Sequence, residues 1–121
     1  MSNIIKRARE TLKIEIAGIE GLKARLDSEF EEAINILFAC KGKVILSGIG
    51  KSGLIAQKIA STLTSTGTPS LFLHAGESSH GDLGIISQQD VVIVFSYSGE
   101  TGEVVKLMGH IQAIGVSSIA M

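Results

Sequence analysis

Four apolar runs set the frame of this chain: VILS (44–47), SLFL (70–73), VVIVFS (91–96) and GVSSIAM (115–121). VVIVF shows no polar alternation, so as a strand it must be covered on both faces, the situation of a strand inside a parallel sheet. Helical spacing fills the intervals. Ile55, Ile59 and Leu63 share one face of a helix over 52–66, a short helix falls near 80–86, and another covers 100–113. Strand and helix in alternation build βαβ units, which predicts an α/β fold: a three-layer αβα sandwich around a parallel sheet. Met121 falls inside the fourth run, and open sheets usually cover such an edge with a further element. The fold is therefore expected to be truncated after its fourth strand.

Residues 1–41 read differently. Ile5, Ala8, Leu12, Ile16 and Ile19 form one stripe of an amphipathic helix over 3–25, opened by Asn3. A capping box in Ser28-Glu-Phe-Glu31 starts a second helix, carried by Phe30, Ala33, Ile34, Leu37 and Phe38 until Lys41 and Gly42 stop it. The 121 residues suffice for one core and not two, so two leading helices (1–41) and the βα units (42–121) are expected to form a single domain.

Charge narrows the function classes. With 11 basic and 12 acidic residues the net charge is −1, too weak a field to gather nucleic acid or a membrane surface. No Trp and a single Tyr leave no stacking platform for single strands. The apolar runs fall well short of the roughly 18 residues a membrane span needs, and MSNIIKRARE turns charged at once. A soluble, cytoplasmic protein is the expectation. Cys40 is the single cysteine, which excludes an intramolecular disulfide and fits a small buried hydrophobe.

The stretch VILSGIGKSG (44–53) runs a strand into a glycine turn. Gly48, Gly50 and Gly53 fit GxGxxG, but the dinucleotide fingerprint also wants an acidic residue about 20 positions on. The second run ends in His74, with Glu77 late. A Walker A loop fails because Ile45 stands where its first glycine belongs. SYSGET (96–101) repeats the device after the third run: strand end, hydroxyls, Gly99, helix start. In a doubly wound sheet two such helix starts aim into one crevice, where amides and dipoles converge on an anion. Ser47, Ser52, Ser96, Ser98 and Thr101 add hydroxyls, and Lys51 adds charge. Each serine alone reads better as a plain N-cap; the pair of loops together reverses that and favours a small phosphorylated ligand.

HAGESSHGDLG (74–84) crowds His74, Glu77, His80 and Asp82 together. HxxExxH has the look of a metal set without being an established one, so loop hydrogen bonding or proton transfer is preferred and no metal site is assigned. Asp82 is expected to cap a helical turn, and His110 to be solvated. Glu100 and Glu103 complement a helix dipole, and Glu103 is also placed to orient a sugar hydroxyl or move a proton.

From CKGKVILSGIGKSG through TSTGTP, HAGESSHGDLG and QQDVVIVFSYSGET, residues 28–121 resemble the sugar isomerase (SIS) domain of bacterial arabinose 5-phosphate isomerases. The resemblance implies a flavodoxin-like sheet of order 2-1-3-4-5, a following pair of CBS domains, and assembly as homodimers or homotetramers. It implies interconversion of ribulose 5-phosphate and arabinose 5-phosphate on the way to the Kdo sugar of lipopolysaccharide, with no cofactor. Lys51 falls at the substrate end, Ser52, Ser96, Ser98 and Thr101 at the phosphate, and His80 and Glu103 in the catalytic region. The candidate sets are therefore Lys51, His80 and Glu103 for catalysis, and Ser47, Gly48, Gly50, Ser52, Glu77, Ser96, Ser98, Gly99 and Thr101 for binding. Two departures stand out: Tyr97 where the family commonly has asparagine, and Ala75 where it commonly has proline. The family's further glutamate and histidine would lie past Met121, so this stretch alone is not expected to turn over. A non-catalytic sugar phosphate sensor is the alternative, although the leading helices carry no basic stripe for DNA. A nicotinamide enzyme survives weakly on GxGxxG.

Overall fold

A computed structural model of the chain describes residues 2–76 and 81–121. It divides into two compact units, Met1–Ile34 and Asn35–Met121.

In the first unit, α1 (Asn3–Lys23) is capped by Ser2, whose Oγ accepts the N–H of Ile5 at 3.3 Å. Asn3 is thus the first helical residue and not the cap. No residue of α1 is buried. The start of α2 (Ser28–Phe38) corrects the expected capping box. Asp27 Oδ1 accepts the N–H groups of Glu29 (3.1 Å) and Phe30 (3.4 Å), so a carboxylate one residue earlier takes the orphan donors and Ser28 lies inside the helix. The helix closes at Phe38, short of Lys41.

Among the described residues the second unit holds β1 (Val44–Gly48), α3 (Gly50–Ser65), β2 (Ser70–His74), a 3-10 turn (Asp82–Ile85), β3 (Val91–Val94), α4 (Gly102–Ile114) and β4 (Ser117–Ala120). The strands make one parallel sheet of order β2-β1-β3-β4, with Val44 opposite both Ser70 and Val91, and Val91 opposite Ser117. Every residue of β1 and β3 is buried, as their unbroken apolar runs require.

The pleat then splits the core in two. Ile45, Val92 and Val94 pack with Val104, Leu107 and Ile111 of α4, whereas Val44, Leu46 and Ile93 pack with Ala56 and Ala60 of α3 and with Leu37 at the end of α2. Burying Leu107 or Ile111 in this way contributes roughly 1.5–3 kcal/mol each. Three layers result, as expected, with α3 and α4 on opposite faces.

Some boundaries moved for local reasons. Gly115 adopts φ 79° and closes α4, its N–H reaching the carbonyls of Ile111 and Gln112, so β4 begins at Ser117 and not at Gly115. β3 stops at Val94, but Phe95 N–H still reaches Ser47 O at 2.9 Å and Ser96 N–H reaches Met121 O at 2.8 Å. At the amino end of the sheet, buried Asp90 binds Lys43 Nζ at 2.7 Å and the N–H groups of Lys43 and Ser87. Sequence reading passed over this residue. No helix among the described residues is long and apolar enough to cross a membrane.

Candidate functional site

The strand order reverses between β1 and β3, whose carboxyl ends lie side by side with Ser47 opposite Val94. Such a switch point opens a crevice above the sheet. A cavity of about 200 Å³ occupies it, lined by Ile49 and Ser52 after β1 and by Phe95, Ser96, Tyr97, Ser98, Thr101 and Val104 after β3. The two loops paired in the sequence thus share one cavity.

Neither helix that starts there is closed by its own side chain. Ile49 caps α3 and Thr101 caps α4, and neither makes a side-chain cap bond. The first backbone bonds run from Gly53 N to Ile49 O (3.3 Å) and from Val105 N to Thr101 O (3.0 Å), leaving the preceding amides for another acceptor. For Thr101 the plain capping account therefore fails. Ser96 and Ser98 act otherwise. Ser96 Oγ accepts the N–H of Gly99 at 2.8 Å and Ser98 Oγ accepts that of Glu100 at 3.2 Å, which braces the loop. A hydroxyl that accepts in this way keeps its own proton to donate.

The glycines have distinct roles. A Cβ on Gly48 would lie 2.9 Å from the Ser52 carbonyl carbon, and one on Gly53 3.0 Å from Gly48 O, so the strand end and the first turn of α3 touch backbone to backbone. Gly50 and Gly99 turn the two loops at φ 61° and 69°.

Ser47 is a correction. It is fully buried and donates its hydroxyl to the Leu73 carbonyl, so it ties β1 to β2 and does not line the cavity. Lys51 and Glu103 sit in the first turns of α3 and α4, both exposed and outside the lining. Glu100 is exposed as well. Glu77 and His80 lie outside the described residues. His74 ends β2, where its Nδ1 accepts the N–H of Gly76 at 3.1 Å and its ring meets Phe72 edge-on. Asp82 does not cap its turn: Gly81 holds that position, with φ 102° and no side-chain bond. His110 is exposed, as expected. Among the described residues no cluster of His, Cys, Asp or Glu is arranged to hold a metal. Cys40 is half-buried, its Sγ near the carbonyls of Lys43 and Gln89.

The cavity therefore has a definite chemistry. Residues at the starts of two helices, where dipoles have their positive ends, line it together with the hydroxyl-bearing Ser52, Ser96, Ser98 and Thr101, and no acidic residue does. It suits a small anion carrying a short carbon chain. At about 200 Å³ it falls below the range of roughly 300–1,000 Å³ typical of larger ligands.

The chain is 44% identical over 119 residues to arabinose 5-phosphate isomerase KdsD of Pseudomonas aeruginosa, and 45% identical over the same length to arabinose 5-phosphate isomerase KpsF of Escherichia coli O6:H1. Each match covers 98% of this chain and 36% of the relative, so the chain spans about a third of their length. The solved structure of E. coli CFT073 c3406 in complex with arabinose 5-phosphate superposes with a TM-score of 0.91 at 41% identity, covering 99% of this chain and 65% of that one. Residues 37–121 match the SIS domain model, and the chain belongs to the SIS domain family.

Proposed function

We propose that the protein is an aldose-ketose isomerase that interconverts arabinose 5-phosphate and ribulose 5-phosphate. The observation that carries this reading is the single cavity shared by two helix starts without side-chain caps and ringed by the hydroxyls of Ser52, Ser96, Ser98 and Thr101. The names of the similar isomerases and the sugar phosphate complex of the similar structure support it. A phosphate in the cavity anchors one end of an open-chain sugar and leaves the carbonyl end to reach outward, toward the exposed side of the α3 and α4 starts.

Isomerisation moves a proton between C2 and C1 through an enediolate. A base with a pKa near neutral takes the proton, and a donor faces the developing oxyanion. Lys51 and His80 take the second role in this scheme, and Glu103 orients a hydroxyl. The lining holds no His, Asp, Glu, Cys or Lys among the described residues. We place the base on a neighbouring subunit or on a segment outside residues 1–121. The reading includes assembly as a homodimer or homotetramer, a cytoplasmic location, and supply of arabinose 5-phosphate to Kdo and lipopolysaccharide synthesis.

The test is conversion of arabinose 5-phosphate by the full-length protein, with Lys51→Ala and His80→Ala beside it. Losses of about 100-fold or more in kcat/KM are expected for both. Wild-type turnover in both variants overturns the role assignment. Binding of the sugar phosphate without any turnover by the parent protein indicates a sensor instead.

A further inference from the structure

Tyr97 stands on the rim of the cavity with a relative exposure of 103%, and its hydroxyl makes no hydrogen bond among the described residues. The main chain around it is nonetheless held. Ser96 Oγ and Ser98 Oγ take the N–H groups of Gly99 and Glu100, and Ser96 N–H is tied to Met121 O. The loop thus fixes where the ring starts from while giving the ring nothing to pack on.

Single exposed apolar side chains are ordinary. The position of this one is not, because the remaining cavity wall is hydroxyl on one part and apolar on the other, through Ile49, Phe95 and Val104. The hydroxyls and amides account for a phosphate. They leave the carbon chain attached to it without a cover. A Tyr ring buries roughly 150–250 Å² when covered, and its face accepts C–H groups while its rim stays wet.

We infer that Tyr97 is a ligand-covering residue, whose ring lies across the carbon chain of a bound sugar phosphate and distinguishes that ligand from free phosphate. This rests on the sugar phosphate reading of the cavity and adds to it the source of discrimination between the two anions. The ring contributes affinity by contact and takes no part in proton transfer.

Calorimetric titration of the full-length protein with arabinitol 5-phosphate, which lacks the carbonyl and does not isomerise, and with inorganic phosphate tests the point. Tyr97→Ala is expected to weaken arabinitol 5-phosphate about fivefold and to leave phosphate within about twofold, whereas Tyr97→Phe stays near the parent for both. Equal weakening of both ligands by Tyr97→Ala would mean that the ring only shapes the phosphate loop, and overturns the inference. So does no change, or a Tyr97→Phe variant as weak as Tyr97→Ala. Because these are binding constants, they separate from the isomerase question. A parent protein that isomerises arabinose 5-phosphate while Tyr97→Ala keeps its preference loses this inference alone. One that does not isomerise, yet loses its preference in Tyr97→Ala, loses the isomerase reading alone.

Discussion

Asp90 gathers three donors at the amino end of the sheet: the Lys43 ammonium at 2.7 Å, the Lys43 N–H at 2.9 Å and the Ser87 N–H at 2.8 Å. Burial alone pushes this carboxyl up, but the donors outweigh it and hold the pKa below the ordinary 3.8. A depressed native pKa stabilises the fold above the unfolded value and loses that contribution as pH falls from 3.8 through the lower native value. Urea midpoints measured down through that window are expected to fall more steeply for the parent than for Asp90→Asn. Asp90→Ala at neutral pH should cost about 2–4 kcal/mol and leave ligand affinity unchanged, since the cavity lies at the other end of the strands. In QQDVV the aspartate looks like any loop charge, because Lys43 is 47 positions away. Ser47 deceived in the opposite direction. A hydroxyl beside a glycine turn looks like a ligand donor until the neighbouring strand supplies Leu73 O.

The starts of α3 and α4 border the cavity. At Gly48 an added Cβ would meet the Ser52 backbone at 2.9 Å, where no flexible side chain is available to yield. Gly48→Ala is expected to push α3 outward, costing about 1–3 kcal/mol in urea unfolding and weakening phosphate severalfold by titration. Unclosed amides and dipole ends favour the more negative ligand. Affinity for a sugar phosphate should therefore drop as pH falls through about 6, where the phosphate dianion takes up a proton. The strands were legible because the unbroken VVIVF follows burial directly, whereas in α3 the spacing gave the helix but not its buried face: Gly53, Ala56 and Ala60 are buried, Ile59 and Leu63 half-buried, and Ile55 exposed. Helix ends were less legible. Ser2 and Asp27 displaced the expected caps at Asn3 and Ser28, since neighbouring oxygens compete for the same orphan N–H groups and only geometry picks one.

Across the second unit, α3 and α4 pack on opposite faces of the sheet, and a ligand in the cavity touches the start of both. Occupancy is therefore expected to stabilise the whole βα unit and not one helix. At a free ligand concentration of 100 times Kd the gain is about 2.7 kcal/mol. Thermal unfolding against ligand concentration measures it, and Ser52→Ala should shift the curve to higher concentration. The alternation of runs exposed the layered architecture, and the resemblance supplied the order of strands. Tyr97's full exposure belongs to neither, because it depends on how a loop is held in space. One main-chain exchange has a mechanical meaning. Met121 N donates to Val94 O and Ser96 N to Met121 O, so the serine loop hangs from the residue that follows β4 as from a hinge pin. A strain at Met121 is thus handed through the peptide backbone alone to Ser96, one of the residues that line the cavity.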